Sequence, residues 1–404
     1  MMRILYVLNA MGGGASEGIY ESLAKLPRDQ FTPFAITPPG SAARRERIQP
    51  LFEDIHITPL SWWSTDPSID PLRRAAQKFG HWRHGAHPKK EVPLIKDLIA
   101  RWQIDLVHTG TSLTASGALA AQAMRVPHIW HIKETIGQQG RLRFGGMTDA
   151  QLVAHIAKLS AQIVVMSDYI GTIFRQQQCN KVTVVPDGVN LAPYQAATNR
   201  VLRSELGLDD NTLLVGMVAS MTSNWKRHDV FIRMVAQMAD HYPNTHFVML
   251  GPVPGAGKRW PHDLPRRYYL ELEKLAKELV PPGRLTLFGF YPNPPDIMHS
   301  LDVLVHTCDT EPFGRIAIEA QAAGTPVVGP QTGGIAETVA DGETGLLVPP
   351  GDVAAFAAAT GHLLENTALR TRLGQAGQQR AQAHYTIEHY LEKLIAVYNQ
   401  KICC

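Results

Sequence analysis

The 404-residue chain has few cysteines, little net charge and no long apolar run. Cys179, Cys308 and the terminal pair 403–404 lack the spacing of a metal site or a disulfide framework, which indicates a reducing compartment. No window approaches the ~18 apolar residues of a membrane-spanning helix, and the N-terminus lacks the apolar core of a signal peptide. We therefore expect a cytoplasmic protein that is either free of the membrane or bound peripherally at its inner face.

Basic and acidic residues nearly balance, 39 against 36, so the net charge of +3 favours no class of partner and no nucleic acid is expected. The charge is uneven, however. Residues 72–90 are rich in lysine, arginine and histidine without one acid, and a smaller group of arginines lies at 44–47. The run 72–90 is either a solvated surface loop or a basic patch for an anionic membrane or acceptor, an interpretation that Phe79 and Trp82 favour.

Short apolar runs alternate with amphipathic segments along the chain, which is typical of βαβ units and a parallel sheet. Strands are predicted at 3–8, 31–37, 105–109, 127–132, 162–166, 181–185, 212–220, 245–250, 284–289, 302–307, 326–329 and 345–348. Helices are predicted between them, at 16–26, 92–102, 113–124, 148–160, 168–177, 227–240, 265–279, 315–323, 334–340, 352–365 and 367–400. The alternation of strands and helices is interrupted at 186–199, where Pro, Gly and Asn residues predict a linker.

The fold class that follows is α/β, with two doubly wound, Rossmann-like domains facing each other across a cleft. We predict an N-terminal domain over 1–188 and a C-terminal domain over 189–385, with a last helical segment, 386–404, packing back on the first domain. In such sheets, ligands lie beyond the carboxyl ends of the strands and beside helix N-termini. Candidate site residues are therefore sought just after strands.

A glycine triplet, Gly12, Gly13 and Gly14, follows the first predicted strand and precedes the first helix. Glycine lets the backbone approach a ligand closely, and the helix that follows offers free N–H groups. The triplet is predicted to cradle a phosphate or a sugar. The alternative is a plain flexible turn, because the pattern is not GxGxxG.

The stretch "WHIKE" brings His131, Lys133 and Glu134 to the end of the predicted strand 127–132. Alternation places His131 and Lys133 on the same face of that strand. A histidine at this end, facing the cleft, can hydrogen-bond a substrate hydroxyl. The other interpretation is a histidine whose hydrogen bonds are satisfied in the core.

The stretch "SNWKRHDVF" places Lys226 and Arg227 at the entry to a helix, after strand 212–220. Cations are unfavourable beside a helix N-terminus, so an anion should offset them. A bound diphosphate would do so, with Lys226 acting on it as a point charge. A solvated basic turn is the alternative.

Two glutamates, Glu311 and Glu319, bracket the start of a predicted helix. Glu311 lies in the preceding loop, facing the cleft, and Glu319 lies about one turn into the helix. The backbone N–H groups of Gly314, Arg315 and Ile316 are predicted to point at an anion. Arg315 and Glu319, four residues apart, would alternatively pair on the helix surface, but this pairing leaves Glu311 unexplained.

The Glu-x7-Glu pattern is followed in order by "AGTPVV", "GGIAE" and "DGETGLLVPPGD", a combination far more specific than the glutamate spacing alone. With these residues the chain resembles the retaining GT-B glycosyltransferases of family 4 (group 1) over nearly its whole length. The resemblance implies transfer of a hexose-type sugar from a UDP- or GDP-linked donor to an acceptor hydroxyl, with retention of anomeric configuration. It implies no cofactor and no metal, and no DxD-type acidic pair is present.

The resemblance also implies roles for single residues. Glu311 would bind donor-sugar hydroxyls, Glu319 would bind the ribose, and Lys226 with the N–H groups at 314–316 would hold the diphosphate. The first domain would bind the acceptor, and its His131 would contact the sugar. The implied catalytic residues are Glu311, His131 and Lys226, and the implied donor-binding residues are Gly12, Gly13, Gly14, Arg227, Gly289, Phe290, Phe313, Gly314, Arg315, Ile316 and Glu319.

One position departs from the family. An arginine commonly stands six residues before the lysine, where this chain has Ser220, so Arg315 or Arg227 would have to supply the second cation. The departure keeps open a non-catalytic sugar-nucleotide binder, and the shared architecture keeps open an epimerase or a phosphorylase. The expected partners are a nucleotide-sugar donor and a sugar, lipid-linked or glycan acceptor, such as a cell-surface glycan precursor.

Overall fold

The computed structural model describes residues 1–9, 14–64, 91–138, 140, 142–196, 200–255 and 264–400. The chain divides into two compact units. The first spans Met1–Gly188 and resumes at Ile387, and the second spans Val189–Thr386. The sequence-based boundaries lie at 188/189 and 385/386. Gly12, Gly13, the basic run 72–90 and the cysteines at 403–404 lie outside the described residues.

The first unit is built on a parallel sheet of seven described strands in the order β3-β2-β1-β4-β5-β6-β7. The strands are β1 (Met2–Val7), β2 (Phe31–Thr37), β3 (Asp54–Ile57), β4 (Leu106–Thr109), β5 (His128–Ile132), β6 (Gln162–Val165) and β7 (Val182–Val184). Its first helices are α1 (Gly14–Leu23), α2 (Ala42–Ile48), α3 (Glu91–Arg101), α4 (Ser116–Met124), α5 (Asp149–Leu159) and α6 (Asp168–Gln176).

The second unit has a parallel sheet of six described strands in the order β10-β9-β8-β11-β12-β13. The strands are β8 (Leu213–Val218), β9 (Thr245–Leu250), β10 (Leu285–Gly289), β11 (Val303–Val305), β12 (Val327–Pro330) and β13 (Gly345–Val348). Its helices are α7 (Ala192–Gln195), α8 (Val201–Glu205), α9 (His228–Met238), α10 (Leu264–Leu279), α11 (Pro294–Ser300), α12 (Arg315–Ala322), α13 (Ile335–Thr338), α14 (Val353–Glu365) and α15 (Thr367–His384). A further helix, α16 (Ile387–Tyr398), belongs to the first unit.

Each sheet reverses its strand order once, between β1 and β4 in the first unit and between β8 and β11 in the second. The strands are apolar on both faces because helices cover both sides of a parallel sheet. In the second unit, for example, Val215, Phe247 and Val303 are fully buried in one core cluster. The crevice at such a reversal point is where open α/β sheets bind ligands.

The predicted α/β alternation is confirmed for all the strands named from the sequence. The structure adds β3 and the short helices α2, α7, α8 and α11. Helix α11 begins with two prolines, which fit the first turn of a helix, and the Asn293 side chain caps it by accepting from Asp296 N.

The predicted single helix at 367–400 is two helices, because the chain leaves helical geometry at Tyr385 and Thr386. The carbonyl of Tyr385 accepts from Val189 N at 2.9 Å, and Thr386 forms an isolated bridge with Val189. After this break, α16 packs Tyr390, Leu394 and Tyr398 into the core of the first unit. None of the described helices combines the length and apolarity needed to cross a bilayer.

Candidate active site

The reversal point of the second sheet brings Lys226 and Glu311 together. Strands β8 and β11 are neighbours, and the loop that follows each of them carries one of these residues. The loop after β8 ends in a 3-10 turn at Asn224–Lys226. Thr307, just beyond β11, fixes this turn by donating from Oγ1 to the carbonyls of Lys226 (3.1 Å) and Arg227 (2.8 Å). Adjacent strands therefore place a lysine and a glutamate that lie 85 residues apart in the chain.

Glu311 is a largely buried carboxylate held by two donors. Lys226 Nζ lies 2.5 Å from Oε2, and His306 Nε2 lies 3.2 Å from the same oxygen. Only 13% of the Glu311 side chain and 16% of the Lys226 side chain are exposed. Burial opposes ionisation of Glu311, but the charge of Lys226 and the hydrogen bond from His306 outweigh it and hold the pKa well below its usual range. Glu311 is therefore an anion at neutral pH.

His306 is neutral at neutral pH, because burial lowers its pKa although Glu311 opposes the shift. Since an ionised carboxylate only accepts hydrogen bonds, the 3.2 Å contact requires the hydrogen of His306 to be on Nε2. Sequence reasoning missed this residue. The available signal was its place directly after the apolar run "VLV", five residues before Glu311.

Two glycines, Gly333 and Gly334, support the loop that carries Glu311. Gly334 N donates to Glu311 O at 2.8 Å. A Cβ on Gly334 would lie 2.3 Å from Phe313 Cα, and one on Gly333 would lie 2.7 Å from Glu311 O, so only glycine fits at either position. Phe313 is itself buried. The backbone around Glu311 is thus shaped by close contact with the loop after β12.

Helix α12 begins at Arg315, after Gly314 in the left-handed conformation with φ of 93°. Arg315 Nε donates to Glu319 Oε1 at 2.9 Å, and both side chains are mostly buried, with 15% and 12% exposed. The pairing that the sequence left as an alternative is therefore present. The backbone N–H groups of Arg315 and Ile316 stand in the first turn of this helix, beside Glu311 in sequence.

Arg227 makes two acidic contacts. Its Nη1 lies 2.5 Å from Asp309 Oδ2, and its Nε lies 3.2 Å from Asp229 Oδ1. It adopts the left-handed conformation, with φ of 56°, just before α9. Ser220, in place of the family's arginine, forms a hydroxyl contact of 2.9 Å with Thr222.

Gly289 ends β10 with φ of 86°, and Phe290 follows with 67% of its surface exposed. An exposed phenylalanine at the carboxyl end of a strand offers a flat apolar face to a ligand. Strand β9 separates β10 from β8, so Phe290 stands two strands from the lysine–glutamate pair along the same end of the sheet. Gly14, in the other unit, is the first residue of α1.

His131, at the end of β5, is completely buried in the first unit. Its Nδ1 lies 3.2 Å from His108 Nε2, and its Nε2 has no hydrogen-bond partner among the described residues. Lys133 is buried as well, with Nζ 2.6 and 2.8 Å from the two oxygens of Asp187. Nδ1 of His131 is therefore satisfied, as expected for a histidine in the core, but Nε2 is not. Contact of His131 with a sugar stays a prediction.

Glu134, the last residue of "WHIKE", is held by three donors from the loop after β4. It accepts from Thr111 Oγ1 at 2.7 Å, and from the N and Oγ of Ser112 at 2.8 Å each. Strands β4 and β5 are adjacent, so this network joins their carboxyl ends. Sequence reasoning named Glu134 but missed its partners, which lie more than 20 residues earlier.

Both halves of the chain match families of known proteins. A family described as "Glycosyl transferases group 1" matches residues 199–380, and one described as "Glycosyltransferase Family 4" matches residues 12–193. The D-inositol 3-phosphate glycosyltransferase of Stackebrandtia nassauensis is 30% identical over 323 residues, which cover 74% of this chain and 68% of that protein. Its counterpart from Streptomyces avermitilis is 32% identical over 295 residues, which cover 69% of this chain and 61% of that protein. The chain thus spans about two thirds of the length of these relatives.

Solved structures resemble the whole chain. The crystal structure of Anabaena HepE in complex with UDP has a TM-score of 0.77 at 20% identity, covering 98% of this chain and 99% of that one. Sucrose-phosphate synthase from Thermosynechococcus elongatus has a TM-score of 0.74 at 19% identity, covering 99% of both chains. This likeness shows the GT-B architecture that the sequence predicts. Together, the two family matches and the 30% identical relative show that the chain belongs to the family 4, group 1 glycosyltransferases.

Proposed function

We propose that this protein transfers a hexose-type sugar from a nucleotide diphosphate sugar to an acceptor hydroxyl, with retention of anomeric configuration and without a metal ion. The observation that carries the proposal is the buried, ionised Glu311, held by Lys226 and His306 at the reversal point of the second unit's sheet. A carboxylate fixed in this way is prepared to accept hydrogen bonds from sugar hydroxyls. Membership of the family supports the reaction class.

The donor would be held by charge and by backbone. Lys226 lies in the turn that follows β8, and the first N–H groups of α12 add the partial positive charge of a helix N-terminus for the diphosphate. Glu319 would accept from the ribose hydroxyls, and Phe290 would lie against the base. UDP is the first nucleotide to test, because the HepE structures hold UDP and UDP-glucose. GDP is the second.

The chemistry is electrostatic. The bond between the anomeric carbon and the diphosphate oxygen breaks, its electron pair leaves with the diphosphate, and the sugar becomes oxocarbenium-like. The acceptor hydroxyl attacks from the face that the diphosphate leaves, and its proton passes to a phosphate oxygen. Preorganised cations such as Lys226 stabilise the charge that develops on the leaving group. Glu311 binds the sugar and does not form a covalent bond to it.

The side chains around Glu311 favour an ion pair over a metal site. His306, Cys308 and Glu311 have ligand atoms within 4.8 Å of one another. In this arrangement, however, Lys226 already balances the charge of Glu311, and His306 Nε2 donates to the same carboxylate oxygen instead of offering a lone pair. This supports metal-independent transfer.

We further propose a phosphorylated or lipid-linked acceptor, bound by the first unit at the cytoplasmic face of the membrane. The curated relatives are named for D-inositol 3-phosphate, which is an anionic polyol. The basic run 72–90 would supply complementary charge, either to the acceptor or to anionic lipid. Replacing its lysines and arginines with glutamine should weaken binding to anionic vesicles, and unchanged binding would remove the membrane from the proposal.

Calorimetry with UDP, GDP, ADP and CMP, each with magnesium and with EDTA, tests the donor site. We expect one nucleotide to bind equally well in both buffers and Glu319→Ala to lose that binding, whereas Glu343→Ala, at an exposed glutamate, should keep it. Binding only with magnesium contradicts the metal-free site. With the matching donor sugar, NMR of the product then decides whether the anomeric configuration is retained.

Analysis of the products formed from the preferred donor separates the rival functions. Tight nucleotide binding without turnover on any acceptor would indicate a non-catalytic binder. The first cause to test would then be Ser220, which stands where the family commonly has an arginine. Release of sugar phosphate on adding inorganic phosphate would indicate a phosphorylase. Conversion of the donor sugar into its epimer would indicate an epimerase.

A further inference from the structure

A chain of hydrogen bonds crosses the interior of the first unit and ends at His131. The hydroxyls of Tyr6, on β1, and Tyr398, on α16, are 3.0 Å apart. The Tyr398 hydroxyl lies 2.6 Å from Nδ1 of His108, on β4. Nε2 of His108 in turn lies 3.2 Å from Nδ1 of His131, on β5. All four side chains are buried, so their polar atoms depend on one another for hydrogen bonds.

The two histidines that take part in these hydrogen bonds, His108 and His131, are both neutral. Burial lowers the pKa of His108 to about 3, with further lowering by the charge of Lys133. Burial, and then the same lysine, lowers the pKa of His131 well below its usual value. A neutral imidazole carries one hydrogen and accepts at the other nitrogen, so the direction of one hydrogen bond sets the direction of the next.

The four groups can be ordered in two directions. In the first, Tyr6 donates to Tyr398, which donates to Nδ1 of His108. His108 then donates from Nε2 to Nδ1 of His131, and the one hydrogen left without an acceptor is that on Nε2 of His131.

The reverse direction leaves the same number of unsatisfied groups, one hydrogen and one acceptor, but at opposite ends. His131 would donate to His108, which would donate to Tyr398, and Tyr398 would donate to Tyr6. Among the described residues, the Tyr6 hydroxyl contacts no acceptor other than Tyr398, so its own hydrogen would be stranded. His131 Nε2 would also remain as a bare acceptor. The 2.6 Å distance between the Tyr398 hydroxyl and His108 Nδ1 favours the first direction, because it is shorter than the ~2.7–3.2 Å of an N–H···O bond and a phenol is a stronger donor than a neutral imidazole.

We propose that Tyr398 and His108 act as positioning residues that hold His131 as its Nε2–H tautomer, a neutral hydrogen-bond donor. The unpartnered N–H is then directed at an oxygen acceptor rather than at a hydroxyl hydrogen. Resting on the proposed function, this acceptor is an oxygen of the transferred sugar. The C-terminal helix α16 thereby sets the chemistry of a residue on β5, nearly 270 positions earlier in the chain.

NMR of the protein with 15N-labelled histidine tests the tautomer directly. In a neutral imidazole, the nitrogen that carries the hydrogen and the bare nitrogen resonate far apart, and coupling to the ring hydrogens identifies each. His131→Gln assigns the signals of His131 among the 17 histidines. We expect Nε2 of His131 to carry the hydrogen at neutral pH. A hydrogen on Nδ1, or on both nitrogens, overturns the proposal.

Tyr398→Phe removes the hydroxyl that donates to His108, so His131 should then show a mixture of tautomers. Tyr390→Phe is the matched control. Tyr390 lies on the same helix and is equally buried, but its hydroxyl has no hydrogen-bond partner among the described residues. Unchanged His131 signals in Tyr398→Phe would remove the positioning role. If that variant does not fold, the wild-type spectrum alone decides the tautomer.

Kinetics separate this inference from the proposed function. We expect Tyr398→Phe to lower kcat about tenfold with little change in the donor KM, as for an interaction made mainly in the transition state. Tyr390→Phe should stay within about twofold of wild type, because no hydrogen bond is lost. A wild-type protein without transferase activity would end the proposed function but leave the tautomer assignment intact. An active enzyme with the reversed tautomer would do the opposite.

Discussion

Lys226 Nζ lies 2.5 Å from Glu311 Oε2, and both side chains are more than four-fifths buried. A buried ion pair of this kind contributes less to stability than its geometry suggests, since both charges lose their water. Removing one partner is nevertheless costly, because the other charge remains buried. The pair therefore links the stability of the second unit to the residues that we propose bind the sugar and the diphosphate.

Lys226→Met should lower the free energy of unfolding by about 2 kcal/mol or more, somewhat less than the ~3–5 kcal/mol of fully buried pairs, since Glu311 keeps some contact with water. The double variant Lys226→Met with Glu311→Gln should recover most of this loss, because no buried charge remains. Urea unfolding measures both. Equal stability of the single variant and wild type would show that water already compensates Glu311.

Both the single and the double variant should lose most of their transferase activity. Loss of the cation that stabilises the leaving diphosphate should reduce kcat/KM about 100-fold or more. The recovery of stability without recovery of activity, measured on the double variant, separates the two roles of Lys226. An active double variant would mean that another cation holds the diphosphate.

Stability should depend on acidity through Glu311. Its pKa in the folded protein is depressed, so its contribution is fully present above the ordinary carboxyl value of about 4.3 and is lost as the pH falls toward the folded value. The stability difference between wild type and Glu311→Gln should therefore be constant from about pH 6 to 8 and shrink below about pH 4.3. Urea midpoints over this range measure it. Glu343→Gln, at an exposed site, is the control and should show no comparable change.

His306 should orient Glu311 through its Nε2–H donor. His306→Phe keeps the ring but removes the donor, so kcat should fall about tenfold. His306→Gln offers an amide N–H and should recover part of the rate. Steady-state kinetics with the preferred donor measure both. A glutamine variant no better than the phenylalanine variant would argue that His306 contributes packing and not a hydrogen bond.

Arg315→Ala tests whether this arginine replaces the family's missing cation at Ser220. If Arg315 leaves Glu319 to contact the bound diphosphate, the donor KM should rise severalfold or more. If it only pairs with Glu319, the KM should be unchanged. The matched substitution Arg227→Ala asks the same of the arginine held by Asp309.

Gly334→Ala should disrupt the Glu311 loop, because the added Cβ would lie 2.3 Å from Phe313 Cα. We expect a loss of about 2–3 kcal/mol in unfolding free energy, since backbone atoms cannot move aside as a flexible side chain can. Gly255→Ala should be tolerated, because its Cβ would meet no atom of the described residues within 4 Å. Thermal unfolding of the two variants compares them. Equal melting temperatures of the two variants would show that the loop after β12 can move away from the Glu311 loop at little cost.

The fold class and the identities of most candidate residues were readable from the sequence. A strand buried on both faces is a local pattern, because it is a short apolar run bounded by turn residues. The sequence therefore predicts strands such as 245–250 with the bounds that the structure has. The Glu-x7-Glu pattern with its following motifs identified the family, because it is an ordered set of residues within one stretch of chain.

What the tertiary structure alone decided were the partners. His306 donates to Glu311, Thr307 anchors the turn of Lys226, and Tyr398 reaches His108 across 290 residues. Such contacts depend on which strands are neighbours and on which side chains share a buried volume. No local pattern encodes the direction of a buried hydrogen bond, because that direction depends on which donors and acceptors the fold brings together.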